Sequence, residues 1–98
     1  MWIGFAEFDF LLGDVASLKQ KRAVVRPVIA DLQKRFGVSV AEVGSLDLHR
    51  RAAIGVGVVA ADQAHVVEVL DAVERRAVDH REAELLSVRR RVFSADDF

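Results

Sequence analysis

Residues 2–12 have the sequence WIGFAEFDFLL, in which the character of the side chains alternates with a period of two. The even positions carry no polar side chain: Trp2, Gly4, Ala6, Phe8, Phe10 and Leu12. The odd positions are mixed: Ile3, Phe5, Glu7, Asp9 and Leu11. Because successive side chains of a strand point to opposite faces, this pattern predicts a strand with one face on a core.

A first helix is predicted over residues 18–36, after the turn at Gly13 and Asp14. Ser17, followed three residues later by Gln20, has the pattern of a capping box, and Gly37 stands where a C-terminal glycine belongs. The apolar stripe comprises Leu18, Val25, Val28, Ile29, Leu32 and Phe36. Pro27 lies inside it at a cost of about 3 kcal/mol. Since the stripe continues past the proline, one kinked helix is favoured over two helices.

The remaining elements complete two βα halves. A short strand is predicted over residues 38–43, another strand over 52–61 and a last strand over 84–93, in which Leu86 is expected to face the helices and Leu85 the open side. Asp62 is a favourable N-cap for a second helix over about 63–80. Residues 94–98 are expected to fray.

The order strand, helix, strand, strand, helix, strand predicts the fold class. Two helices on one face of a four-stranded antiparallel sheet of order 4-1-3-2 form an α+β, ferredoxin-like βαββαβ sandwich. With 98 residues, the chain is expected to be a single domain over 1–98.

Composition narrows the functional classes. The chain contains no cysteine, which excludes disulfides, thiolate metal sites and a cysteine nucleophile. The first residues carry no basic leader, and no apolar run approaches about 18 residues. A cytoplasmic location without membrane contact is therefore expected.

One face of the sheet is predicted to lack helices. Five residues of this face are interface candidates: Ile3, Phe5, Gly55, Gly57 and Phe93. Exposed apolar patches usually mark contact sites, which favours a homodimer through this face or a strand edge. The alternative is that the aromatics are scattered and covered by loops. Glu7 and Asp9 are expected to pair with Arg89 and Arg91 on the neighbouring strand.

Cations are concentrated around the first helix. The candidates for contact with an anion or an RNA backbone are Lys19, Lys21, Arg22, Arg26, Arg50 and Arg51. Lys21 falls within the apolar stripe, and cations in a first turn oppose the helix dipole, so a bound phosphate would explain both. The alternative is a solvated face that offsets the acidic second helix.

No arrangement of residues points to catalysis. His49, His65 and His80 lack the spacing of a metal site, so neither a metal nor a cofactor is expected. Glu7 and Asp9 are assigned to salt bridges because no cleft is predicted around them. A non-enzymatic binding module is predicted.

Several segments together resemble the bacterial YlxP-like proteins, a domain of unknown function. The resemblance is carried by residues 1–4 (MWIG), 17–22 (SLKQKR), 38–43 (VSVAEV), 52–59 (AAIGVGVV) and 84–88 (ELLSV). It implies a ferredoxin-like fold and no established activity. Family genes often neighbour those of transcription elongation, translation initiation and ribosome maturation factors, which implies RNA or the ribosome as a partner. Pro27 departs from the family pattern.

Overall fold

A computed structural model describes residues 1–98 as one four-stranded sheet covered by two helices. The elements are β1 (Trp2–Leu12), α1 (Leu18–Phe36), β2 (Ser39–Gly44), β3 (Arg51–Ala60), α2 (Gln63–Ala77) and β4 (Ala83–Ser94). All neighbouring strands are antiparallel, in the order β2-β3-β1-β4. The predicted ferredoxin-like α+β fold and its strand order are confirmed.

The core lies between the sheet and the helices. The even positions of β1 from Gly4 to Leu12 are buried, and Phe8 and Phe10 pack with ring centroids 6.3 Å apart. Fully buried side chains of both helices, including Leu32 and Leu70, belong to the same cluster. Both helices therefore cover the face of the sheet that the period-two pattern indicated.

Helix α1 is continuous through Pro27. Ser17 Oγ accepts from the Gln20 N–H at 3.1 Å, and Gly37 ends the helix with φ 61°. Because Pro27 has no N–H, the carbonyl of Ala23 lacks its helical hydrogen-bond donor. Both residues are exposed. Water can solvate that carbonyl, so the proline interrupts the hydrogen bonds of the helix without ending it.

A β-bulge changes which leucine of β4 faces the helices. Phe10 pairs with Leu85, while Asp9 pairs with Ser87, so Leu86 is the extra residue. Leu85 packs against the core and Leu86 is 45% exposed. The expectation that Leu86 faces the helices and Leu85 the open side is therefore wrong, because the bulge shifts the alternation by one residue.

Helix α2 ends at Ala77, three residues before the predicted end, and the released turn brings His80 to α1. His80 Nε2 lies 3.1 Å from Asp31 Oδ2, without the angle of a hydrogen bond. Asp31 also accepts hydrogen bonds from Arg35 and Arg76, each at 2.8 Å. Asp31 thus links the two helices through a cluster of basic side chains.

The ion pairs of Asp31 should make the stability of the fold sensitive to acid. The Arg76 hydrogen bonds, reinforced by Arg35 and opposed by partial burial, hold the pKa of Asp31 well below its ordinary value of 3.8. A lowered folded-state pKa adds stability above the unfolded pKa, and that stability is lost as the pH falls below about 4. Denaturant unfolding at about pH 7 and pH 3 should show a smaller acid-induced loss for Asp31→Asn than for the parent. Asp47→Asn, an exposed control, should leave the loss unchanged; equal losses for both variants would refute this role.

The closing residues, where fraying was expected, form a single 3₁₀ turn over Ala95–Asp97. Asp97 Oδ2 accepts from the Ser94 N–H at 3.1 Å, and the Ala95 N–H donates to Met1 O at 2.9 Å. Phe98 is 91% exposed, but its ring meets Phe93 edge-on at 5.5 Å. Neither helix of the fold has the length and apolar character needed to cross a bilayer.

Candidate functional site

Three exposed cations line one flank of α1, and we call them the basic flank: Lys19, Arg22 and Arg26. Their spacing of three and four residues places neighbouring side chains about 5–6 Å apart on one side of a helix. None of the three forms an ion pair within the chain. Their charges are therefore free to meet an external anion.

Lys21, predicted to contact phosphate, is instead buried. Its side chain is 3% exposed, and Nζ lies 2.9 Å from Glu42 Oε2 and donates to Ser45 O at 2.7 Å. Glu42 lies opposite Ile54 in the register, on the helix-covered face of β2. The expectation for Lys21 is corrected: its ammonium is satisfied inside the chain and is closed to an external ligand.

Arg50 and Arg51, adjacent in sequence, point to different surfaces. Arg50 is exposed, and its Nε lies 3.1 Å from Leu12 O and 3.0 Å from Gly13 O, in the turn that precedes α1. Arg51 pairs with Asp9 on the open face of the sheet. Arg50 contacts the turn between β1 and α1, whereas Arg51 lies on the open face, so Arg51 is removed from the predicted basic surface.

The charged side chains in the first turn of α1 are the cations Lys19 and Lys21. The first turn holds no acidic residue, although acidic side chains in the whole chain outnumber basic ones by 15 to 14. A cation there faces the positive end of the helix dipole, which costs stability. An anion bound to this flank would remove that cost.

The open face of the sheet is the second candidate surface. The interface candidates Ile3, Phe5 and Phe93 lie on it and are half-buried. The Arg89 guanidinium stands 5.4 Å from the Phe5 ring centroid. The exposed apolar patch is therefore smaller than the pattern indicated, because charged and terminal side chains partly cover the aromatics.

The two interface glycines differ in what surrounds them. A Cβ on Gly55 would lie 2.9 Å from Val43 Cγ1, so Val43 already occupies that space. A Cβ on Gly57 would meet nothing closer than Ser39 Cβ, at 4.0 Å. Gly57 consequently leaves an unfilled hollow beside Phe5, its register partner on β1.

Two ion pairs occupy the polar end of the open face. Glu7 Oε2 accepts from Arg89 at 3.0 Å, as predicted. Asp9 pairs with Arg51 of β3, whereas Arg91 forms no ion pair. The predicted partner of Asp9 was wrong, because Arg91 lies opposite Phe5 in the register and Asp9 lies opposite Ser87.

Sequence reasoning missed Glu42 and Asp31, which hold buried or half-buried cations. Glu42 had a detectable signal, since it shares the inward face of β2 with Val40. A lysine in one apolar stripe and a glutamate at an inward strand position together indicate a pair. For Asp31 the sequence shows only the i,i+4 spacing to Arg35, because its other partners, Arg76 and His80, are distant in sequence. No group of three or more histidine and acidic side chains is placed to hold a metal ion.

The fold and these surfaces define a small ferredoxin-like α+β domain with one basic helix flank and one uncovered sheet face. The chain belongs to the family described as Protein of unknown function (DUF503), which matches residues 3–90. It is 35% identical over 71 residues to the Uncharacterized protein YlxP of Bacillus subtilis (strain 168), covering 72% of this chain and 77% of that protein. The resemblance to YlxP-like proteins is confirmed.

One solved structure has a weaker likeness to this chain. SnoaB, a cofactor-independent oxygenase from Streptomyces nogalater, aligns over 96% of this chain and 92% of its own, with a TM-score of 0.44 and 12% identity. A likeness this weak carries no argument about activity.

Proposed function

We propose that this protein is a non-enzymatic binding module that holds an RNA backbone, free or in a ribonucleoprotein, against the basic flank. One observation carries the proposal: three exposed cations without carboxylate partners stand at spacings of three and four residues on one side of α1. Elsewhere, Asp31, Asp71 and Glu7 do pair with arginines. Unlike these arginines, the three cations of the basic flank stand together without a partner, which favours an external anion.

The geometry suits a phosphate backbone. Lys19 to Arg26 spans seven residues, or about 10 Å of helix axis at about 1.5 Å per residue. Arg50 adds a cation beside the turn that precedes α1. Contacts of this kind neutralise phosphates and release counterions, and they carry little sequence information. The module is therefore expected to bind RNA with weak sequence preference.

RNA is favoured over DNA by the gene neighbours that the family resemblance implies. An RNA partner would also place the protein in the cytoplasm. Duplex DNA is therefore the informative competitor, since a purely electrostatic surface would bind it as well.

Charge reversal of the basic flank tests the proposal. The variant Lys19→Glu/Arg22→Glu/Arg26→Glu should lose RNA binding at low salt by at least about 100-fold, because three phosphate contacts become repulsive. The matched control is Lys34→Glu/Arg75→Glu/Arg81→Glu. It changes the net charge by the same amount, and its three cations are also exposed and without ion pairs. Fluorescence anisotropy with a labelled single-stranded RNA should show near-parental binding for the control. Equal losses in both variants, or no binding by the parent, would contradict the proposal.

A second candidate function is a structural or regulatory role through the open face. The specific observation is the hollow at Gly57, which lies beside the half-buried Phe5 and the 65% exposed Val59. Phe5→Asp should abolish complexes formed through this face, since it would bury a carboxylate against apolar side chains.

A further inference from the structure

Side-chain size divides the middle of the open face into a high half and a low half. In three successive rows, β1 presents Phe5, Glu7 and Asp9, and β3 presents their partners Gly57, Gly55 and Ala53. The outer strands continue the division: Arg91 and Arg89 of β4 flank Phe5 and Glu7, and Ser39 and Ala41 of β2 flank the glycines. The face is therefore raised along β1 and β4 and lowered along β3 and β2.

The low half contains a hollow at Gly57 that the chain leaves unfilled. Val43 covers Gly55, but nothing covers Gly57. Gly57 does not adopt positive φ, so its backbone has no need of glycine. The missing side chain is explained if another group fills the space from outside, which interior strand glycines often indicate.

We propose that a second copy of this chain covers the open face, related by a two-fold axis that runs parallel to the strands between β1 and β3. Rotation about such an axis leaves every row at the same position along the strands and reverses the order of the strands across the sheet. The raised β1 of one copy therefore lies over the lowered β3 of the other. Phe5 of each copy then fills the hollow at Gly57 of the partner subunit. Ile3 packs against Val59 of the partner subunit in the next row.

Charge and area agree with self-association. The open face carries three acids and three arginines, so it is neutral overall: Glu7, Asp9, Glu84, Arg51, Arg89 and Arg91. Two copies therefore meet without net repulsion, whereas a polyanion gains little there. Four strands about 4.8 Å apart and 6 to 12 residues long give a face on the order of 600 Å². That approaches the roughly 800 Å² per partner of a standard interface.

The arrangement is a common one for sheets. Two sheets that pack face to face lie about 10 Å apart with strands aligned to within about 30°. The axis proposed here produces such an aligned pair. It also leaves both basic flanks uncovered, because α1 lies on the other side of each sheet.

The test first fills the hollow at Gly57 with a side chain and then creates an equivalent space at position 5 on β1. Light scattering after size exclusion should give the parent twice the 10.8 kDa mass of one chain. Gly57→Phe should give a monomer because the hollow is occupied. The double variant Phe5→Ala/Gly57→Phe should dimerise again, since the ring now stands on β3 and the space on β1. Ala30→Phe, which adds the same ring on an exposed position of α1, should remain dimeric.

Every outcome decides the proposal. A monomeric parent, or a Gly57→Phe variant that remains dimeric, overturns it. A Gly57→Phe monomer that the second change fails to restore, with circular dichroism showing both variants folded, rejects the assigned axis. RNA binding should survive in the Gly57→Phe monomer, so failure of this proposal is distinguishable from failure of the proposed function.

Discussion

Replacing Glu42 with alanine should lower the free energy of unfolding by about 3 kcal/mol, because it leaves a buried cation without its counter-charge. Lys21 Nζ donates to Ser45 O at 2.7 Å and forms an ion pair with Glu42 Oε2 at 2.9 Å. The lysine side chain is 3% exposed and that of Glu42 22%. The partial exposure of Glu42 sets the expected cost at the lower end of the range for breaking a buried pair. Urea unfolding measures it.

Two variants show whether the loss comes from an unpaired charge. Lys21→Met/Glu42→Leu removes both charges and should cost about 1 kcal/mol or less, because a buried pair can often be replaced by apolar groups. Asp47→Ala removes an exposed acid without an ion pair, and should have almost no effect. If Glu42→Ala is no more destabilising than Asp47→Ala, the buried pair is not a stabilising element.

Replacing Gly4 with alanine should cost about 2–3 kcal/mol, because the sheet and α2 approach each other closely there. A Cβ on Gly4 would lie 2.4 Å from Val66 Cγ1 and 3.0 Å from Leu70 Cδ1. Val66 and Leu70 are both completely buried, so neither can move without disturbing the core. Thermal unfolding should show a correspondingly lower midpoint.

Gly13→Ala is the matched control, since it makes the same change at an exposed glycine just after β1 that does not adopt positive φ. Its Cβ would have no neighbour within 4 Å, so stability should be unchanged or slightly raised. The double variant Gly4→Ala/Val66→Ala should lose less unfolding free energy than the two single variants together, because the smaller side chain makes room for the new methyl group. Equal effects of the two glycine substitutions would contradict the close approach.

The element order and topology could be predicted from sequence because the periodicities are strong. The apolar even positions of β1 and the stripes of α1 and α2 each define a face, and a single βαββαβ arrangement buries all three. The β4 bulge could not be predicted in the same way. Leu85 and Leu86 are both leucine, so exchanging them leaves the apolar pattern unchanged.

The candidate site was predictable in composition but not in pairing. The sequence places Lys19, Lys21, Arg22 and Arg26 on one helix, and the structure leaves three of them exposed and buries Lys21. Which cations are neutralised depends on partners from other elements, as for Arg51 with Asp9. Such contacts follow from tertiary register, which hydrophobic periodicity does not encode.

The salt dependence of RNA binding tests the central claim most directly, since it counts the phosphates that the basic flank neutralises. For three contacts to single-stranded RNA, the logarithm of the association constant should fall with the logarithm of salt concentration with a slope of about −2. Replacing Arg22 alone with glutamine should bring the slope closer to zero by about 0.7. A slope near zero for the parent, or one that Arg22→Gln leaves unchanged, would contradict RNA-backbone binding by this helix.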